Sequence, residues 1–184
     1  MRFCLGILGA FLVLTGTAAA QPTIDKNSVT NAASYIAPGL PSHGVGQGGM
    51  FIVKGKNLGA AGVRTATSFP LQTTMGGTSI KITVGGTTVD ALMVYVVAGR
   101  GGNLPDQLAA IAPSNTPVGD GTLTVTYNNQ TSAAAAIRIV RRAFGIFTIN
   151  QAGSGPAVVT TAEYAVNTLT AVARPQQALI IWGT

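Results

Sequence analysis

The alternation of apolar and polar positions predicts β-strands along most of this chain. Met50–Val53 is a continuous apolar run that ends at Lys54 and Gly55. Ser79–Val84 and Gly121–Asn128 alternate residue by residue, as half-buried strands do. In the second of these, one face carries apolar or aromatic residues and the other carries threonines: Leu123, Val125 and Tyr127 against Thr122, Thr124 and Thr126.

Turn signals separate these runs and define further strands. Gly85-Gly86 and Asn128-Asn129 are hairpin turn sequences. The segment Leu108–Ala112 fits a short helix or a strand and ends at Pro113. The remaining predicted strands are Val89–Val97, Ser132–Val140, Phe144–Ile149, Ala157–Thr161 and Ala178–Trp182. Short strands at intervals of roughly 8–15 residues, with no long helical period, predict an all-β fold, an antiparallel sandwich.

Composition agrees with an exported β-rich protein. Charged residues make up 9% of the 184-residue chain, against roughly 25% in an average globular domain, and there are 24 glycines. The net charge is +6, but Arg141-Arg142 is the only adjacent basic pair. Nucleic-acid binding needs a dense basic stripe, so we expect no nucleic-acid partner.

Residues 1–20 have the order of a secretory signal peptide. Arg2 precedes the apolar run Phe3–Leu14, and small residues end the segment, which predicts cleavage between Ala20 and Gln21. A retained membrane anchor is the alternative. Cleavage predicts a secreted or cell-surface protein that has left the membrane. Cys4, the only cysteine, is then removed, which excludes disulfides and thiol chemistry.

A glycine-rich loop precedes the first apolar strand. Gly44, Gly46 and Gly49 formally fit the GxGxxG pattern of dinucleotide-binding proteins. That pattern needs a strand before it and a helix after it, whereas here a proline-rich loop precedes it and a strand follows. We therefore interpret the loop as a flexible turn and expect no cofactor.

Catalytic chemistry has few candidate residues. His43 is the only histidine, so no other imidazole base is present for a triad, and Gly153-Ser154-Gly155 lacks the nucleophile-elbow spacing. Asp106 and Asp120 fall in predicted loops that can meet at one end of a sandwich, as a hydrolase would need. Asp90 is expected to point to solvent. The acidic residues are Asp25, Asp90, Asp106, Asp120 and Glu163.

Metal binding and glycosylation have only weak signals. Asp120 in the sequence VGDG is the best calcium candidate, but it lacks a series of neighbouring acids and fits an ordinary turn. His43 stands alone for zinc. Asn129-Gln130-Thr131 is a glycosylation sequon that also fits a hairpin turn. We assign no catalytic, cofactor-binding or metal residue, and the ligand-binding residues stay unknown.

Exposed aromatic residues are the usual platform of carbohydrate-binding sandwiches. The candidates are Tyr35, Tyr95, Tyr127, Tyr164 and Trp182. Tyr127 shares the apolar face of its strand, and Tyr95 lies within an apolar strand, so both are expected in the core. The threonine face of the same strand fits an adhesive surface, or more simply a solvated sheet face.

Several stretches in a fixed order resemble a known family. They are VTNAASYIAPGLPSHGVGQGGMFIVKGKNLG (29–59), LQTTMGG (71–77), SIKITVGGTTVDALMVYV (79–96), QLAAIAP (107–113), VGDGTLTVTYNNQTSAAAAIRIV (118–140) and AFGIFTI (143–149). Together they resemble the uncharacterised Solibacter-type C-terminal domain of secreted bacterial proteins, which is similar to the immunoglobulin-like IPT/TIG modules. Ala98–Asp106 departs from that pattern because it is longer than the usual link.

The resemblance implies an antiparallel immunoglobulin-like β-sandwich over residues 29–149, after a leading segment 21–28. It carries over no site residues, because that family has no settled activity. Ala173–Thr184 resembles the opening of a second half that often follows in the family, so residues 150–184 are expected to be a linker and the incomplete start of a second β module. A fragment, a frameshifted product and a natural short form are the open explanations.

These observations favour a non-enzymatic exported module for adhesion, spacing or protein–protein interaction at or outside the cell surface. A carbohydrate-binding accessory module of a larger secreted protein is the alternative, and a small hydrolase is a third, weaker hypothesis. The expected partners are another protein or a cell-surface glycan. The terminal apolar strand is expected to lack its own partners, and an open edge of that kind invites self-association.

Overall fold

The computed structural model describes residues 20–101 and 103–184. The predicted signal peptide and Cys4 lie outside the described residues, apart from Ala20 at the predicted cleavage point. Within the described part the chain is all β, with strands and no helix. The strands are β1 (Thr23–Ile24), β2 (Thr30–Asn31), β3 (Val45–Gly46), β4 (Met50–Lys56), β5 (Gly62–Thr65), β6 (Thr74–Met75), β7 (Thr78–Val84), β8 (Thr87–Asp90), β9 (Leu92–Ala98), β10 (Asp106–Ile111), β11 (Gly119–Tyr127), β12 (Gln130–Thr131), β13 (Ala135–Val140), β14 (Val159–Thr161) and β15 (Leu179–Ile181).

The strands form two larger sheets and a small third one. The first sheet has the order β1-β4-β10-β9-β5, with β2 also on β4. The second has the order β3-β13-β11-β7-β6, with β8 on β7 and β12 on β11. All pairings are antiparallel except that of β3 with β13, which is parallel. One continuous core contains buried residues from both sheets, so the prediction of an all-β, antiparallel, sandwich-like fold is confirmed at this level.

The apolar run of β4 forms an interior strand of the first sheet, flanked on both edges. β10 pairs along one edge, and β1 and β2 share the other. Phe51 and Val53 point into the core between the sheets, whereas Ile52 points to the outer face. β1 falls in the leading segment 21–28, ahead of the predicted sandwich. A Cβ on Gly55 would lie 2.0 Å from the Thr23 carbonyl oxygen, so only glycine allows this close approach.

The Gly85-Gly86 turn forms the predicted hairpin, but its second strand is divided between two sheets. Both glycines have positive φ, 55° and 81°, as a tight hairpin turn requires. Thr87–Asp90 returns along β7, and the chain then crosses at Ala91 so that Leu92–Ala98 joins the first sheet. The single returning strand predicted over Val89–Val97 is therefore wrong. Asp90 is the only charged residue in this segment, and the run Ala91–Val97 that follows it has no alternation that would signal the crossing.

The hairpin that contains β11 agrees closely with the prediction. Asn128 and Asn129 turn with φ values of 49° and 61°, and Leu123 and Val125 are fully buried. The returning segment, predicted as continuous from Ser132, is interrupted between β12 and β13. There the Ser132 hydroxyl accepts a hydrogen bond from Val125 N at 3.0 Å and donates one to Ala133 O.

Residues 144–184 form a small C-terminal β unit that lies against the first sheet. β14 pairs with β15, and residues 145–147 bond to residues 182–184, with Thr184 N donating to Gly145 O at 2.8 Å. The predicted strand Phe144–Ile149 appears only as isolated bridges, at Ile146 and Thr148. The expectation that the terminal strand has no partners is corrected for one of its edges, which β14 covers.

Candidate functional site

Asp106, a candidate acid from the sequence, has a structural role. Its side chain is buried, with the residue only 8% exposed. One carboxylate oxygen accepts a hydrogen bond from Leu58 N at 3.0 Å, and the other accepts one from Gly99 N at 2.8 Å. The carboxylate therefore joins the loop after β4 to the loop after β9, and both its oxygens are engaged.

Asp120, the second candidate acid, lies at the opposite end of the sandwich. Asp106 is the first residue of β10 and pairs with Gly55, near the end of β4. Asp120 pairs with Arg138. The residue after Arg138 pairs with Val45, which lies just before the start of β4. The two ends of the sandwich are therefore about one strand length apart, roughly 15–20 Å. The Asp120 side chain is 86% exposed, and its carboxylate is 3.9 Å from Arg138 Nε. The two carboxylates that a glycosidase would need are not brought together.

Asp90 points to solvent, as the sequence predicts. Its carboxylate forms an ion pair with Lys81 Nζ at 2.9 Å across the β7–β8 hairpin, and both side chains are about half exposed. An exposed pair of this kind contributes little to stability.

His43 lies in a polar surface pocket of about 580 Å³ that Arg138 and Arg142 also line. Partial burial lowers the pKa of His43, and the nearby Arg138 cation lowers it further, while Asp120 acts in the opposite direction. Of the glycines that follow it, Gly46 lies in β3, and Gly49 N donates to Gly46 O at 2.9 Å in the turn into β4. The strand-loop-helix context of a dinucleotide site is absent from this described segment.

Metal ligands do not cluster in residues 20–101 and 103–184, where no three His, Cys, Asp or Glu side chains come together. The same described residues contain no helix long and apolar enough to cross a membrane.

The outer face of the first sheet carries a second, separate hydrophobic cluster. Ala32, Ile52 and Ala109 are its buried members. The partly buried residues packed against them are Tyr35, Met50, Val94, Tyr95 and Phe147. A cleft of about 360 Å³ lies here between the sheet and the C-terminal β unit. We refer to the cavity lined by Tyr35, Tyr95, Gln107, Phe147 and Gln151 as the junction cleft.

A β-bulge in β9 places Tyr95 on this outer face. The register with β10 shifts so that Ala109 faces Tyr95 and Ala110 faces Met93, which leaves Val94 as the extra residue. Met93 and Val96 are therefore both in the core, while Val94 and Tyr95 both point outward. The expectation that Tyr95 lies in the core between the sheets is wrong, because the bulge turns its side chain to the outer face. The sequence around Tyr95 gives no sign of the bulge.

Tyr35 reaches the cleft from an unusual backbone conformation. Its φ of 51° is rare for a bulky side chain. Asn31 fixes the turn that leads to it: the Asn31 carbonyl accepts from Tyr35 N at 3.2 Å, and its side-chain oxygen accepts from Ala33 N and Ser34 N. Lys54 Nζ lies 5.6 Å from the centre of the Tyr35 ring, and burial raises the pKa of Tyr35, with a further contribution from Tyr95.

Tyr35 and Tyr95 are aromatic candidates from the sequence, whereas Gln107 and Phe147 are site residues that only the structure reveals. The Gln107 side-chain amide donates a hydrogen bond to the Tyr95 hydroxyl across neighbouring strands. Phe147 comes from the C-terminal β unit. The only signal for Gln107 in the sequence is its polar side chain at the start of the otherwise apolar segment Gln107–Ala112.

The other aromatic candidates lie outside the cleft. Tyr164 and Trp182 are exposed on the C-terminal β unit, with ring centres 6.0 Å apart. Tyr127 is half-buried at the end of β11, on the same face as the core residue Val125.

Comparison with protein-family models, with curated proteins and with solved structures found no match to this chain.

Proposed function

We propose that this protein is a non-enzymatic, exported, immunoglobulin-like module that acts in adhesion, spacing or protein–protein interaction at or outside the cell surface. The observation that carries the proposal is the free edge of β15, an apolar strand that another chain can extend. The proposed location of the protein, at or outside the cell surface, rests on the signal-peptide pattern of residues 1–20.

The strand order of the two sheets supports the immunoglobulin-like part of the proposal. Immunoglobulin-type sandwiches place strands A, B, E and D in one sheet and C, F and G in the other. Here β2-β4-β10-β9 follows the first order, and β13-β11-β7 follows the second as G-F-C. The resemblance to the Solibacter-type domain and its IPT/TIG-like relatives points in the same direction.

The free edge of β15 follows from its pairing with β14. Trp182 N donates to Val158 O at 3.2 Å, and alternate residues of an antiparallel ladder direct their backbone groups to the partner. The backbone groups of Ile180 therefore face β14, while those of Leu179 and Ile181 face away. No described residue pairs with them. The Leu179 and Ile181 side chains are 42% and 58% exposed.

An open apolar strand edge is a ready template for pairing with another strand. The C-terminal β unit exposes other apolar side chains as well, among them Tyr164, whose ring centre lies 6.0 Å from that of Trp182. We therefore propose strand addition at β15 as the mode of interaction, with a second copy of this chain as the partner that can be tested directly.

Light scattering coupled to size exclusion tests this proposal. The wild type is expected to form dimers that increase with concentration. Ile181→Lys adds a charge at the edge and is expected to remain monomeric. Leu169→Lys is the matched control, because Leu169 is 99% exposed and lies outside β15, and it is expected to associate like the wild type. A wild type that stays monomeric at high concentration would contradict the proposal.

The positions of the acids support a non-enzymatic role. Asp106 uses both carboxylate oxygens on backbone amides, and Asp120 lies at the other end of the sandwich. General acid–base catalysis needs titratable groups positioned together on one substrate.

A carbohydrate-binding accessory role is the second candidate function. It is favoured by one specific observation: Tyr35 and Tyr95 converge in the junction cleft with Phe147. A glycan array tests it, and an array without a binder would remove it.

A further inference from the structure

We infer that the junction cleft is a glycan-binding site that accepts the end of a neutral oligosaccharide, with one sugar ring against Tyr35, Tyr95 and Phe147. This inference rests on the second candidate function, carbohydrate binding, and names its site. It does not depend on self-association through β15.

The aromatic lining of the cleft is the first argument. An antiparallel sheet normally presents polar side chains on the face that is not packed on the core. Here the outer face presents an apolar patch that the C-terminal β unit covers only in part, and space of about 360 Å³ remains. That volume is at the lower end of the range for small-ligand sites, about 300–1,000 Å³, and suits one or two sugar rings.

The polar groups of the cleft are the second argument. Gln107 donates to the Tyr95 hydroxyl, which fixes both side chains and leaves the Gln107 carbonyl oxygen and the Tyr95 hydroxyl proton for a ligand. Gln151 and Thr148 supply further neutral polar groups on the C-terminal side. None of the described lining residues carries a charge, and the one cation noted beside the cleft, Lys54, has its Nζ 5.6 Å from the centre of the Tyr35 ring and is not part of the lining. Flat aromatic faces beside neutral amides and hydroxyls match the apolar faces and hydroxyl rim of a sugar ring.

The backbone at Tyr35 is the third argument. A positive φ at a bulky residue persists only when its surroundings impose it. Asn31 imposes it here, and the same side chain donates to Ala143 O and to Thr184 Oγ1, both at 2.9 Å. Asn31 therefore holds the backbone turn that carries Tyr35 and links the first sheet to the C-terminal β unit.

The experiment begins with an array of neutral plant and microbial oligosaccharides and continues with calorimetric titration of each glycan that binds. Tyr95→Ala is expected to weaken binding about tenfold or more, because it removes a ring and the partner of Gln107. Tyr95→Phe keeps the ring and is expected to lose less. Tyr164→Ala is the control, an exposed tyrosine outside the cleft, and is expected to bind like the wild type.

The outcomes separate the site from the function. If a glycan binds and Tyr95→Ala, shown by circular dichroism to be folded, binds it as tightly as the wild type, the cleft is the wrong site while carbohydrate binding stands. If Tyr95→Ala is unfolded, the glycan affinities of Tyr95→Phe and Gln107→Ala are measured instead. Wild-type affinity in both variants would show that the junction cleft is not the binding site. If no glycan on the array binds, both the site and the second candidate function fail.

Discussion

Asp106 links two loops that are far apart in sequence, and its loss should be costly. Its carboxylate is the acceptor for the amides of Leu58 and Gly99 in a buried position. We expect Asp106→Ala to lower the free energy of unfolding by about 2–4 kcal/mol, because buried donors are left without acceptors. Urea unfolding measures the loss.

The matched control for Asp106 is Asp120→Ala, which removes an exposed carboxylate at the other end of the sandwich. We expect a change within about 0.5 kcal/mol there. Equal effects of the two substitutions would show that the Asp106 hydrogen bonds do not stabilise the fold.

His43 should make stability depend on pH. Partial burial and Arg138 lower its pKa in the folded chain below the ordinary value of 6.5. The unfolded chain therefore binds more protons in the pH range just below that value, and stability falls as the pH falls through this range. We expect the melting temperature to decrease between pH 7.5 and pH 5.5, and His43→Gln to reduce this decrease. An unchanged pH dependence in His43→Gln would contradict the assignment.

At the scale of single strands, the sequence predicted most reliably the strands that have one apolar face and one polar face. β7 and β11 alternate cleanly, and their turns carry Gly85-Gly86 and Asn128-Asn129. The crossing at Ala91 and the bulge at Val94 were missed, because both occur in the run Ala91–Val97, which has no regular alternation of polar and apolar residues. There the neighbouring strand β10, and not the local pattern, decides which residue points inward.

The candidate site shows the same limit. Tyr35 and Tyr95 were visible as aromatic residues, but their convergence depends on the bulge in β9 and on the turn at Asn31. Phe147 reaches the cleft only because residues 145–149 bond to residues 156–158 and 182–184. Contacts across so many residues leave no local pattern in the sequence.

The contact between the sandwich and the C-terminal β unit depends on Asn31. We expect Asn31→Ala to make residues 144–184 more sensitive to limited proteolysis and to cost about 2–4 kcal/mol, because this buried side chain makes several hydrogen bonds. Thr184→Ala removes only the hydrogen bonding between the Thr184 hydroxyl and Asn31 and should have a smaller effect. Equal cleavage patterns in Asn31→Ala and the wild type would contradict this role.

At the scale of the whole molecule, the sandwich and the C-terminal β unit differ in how well their apolar residues are covered. The sandwich encloses a continuous core with fully buried residues such as Phe51, Ile82 and Leu123. The C-terminal β unit exposes apolar side chains beside an unpaired strand edge. A surface of this kind is typical of an interaction site, and it is the basis of the proposed function.

Amide hydrogen exchange of β15, measured by NMR in dilute and in concentrated samples, tests that proposal most directly. Ile180 and Trp182 donate within the chain and should be protected at both concentrations. Leu179 and Ile181 point their amides away from β14, so they should exchange rapidly when dilute and become protected when concentrated. Exchange of Leu179 and Ile181 that does not change with concentration would contradict strand addition at this edge.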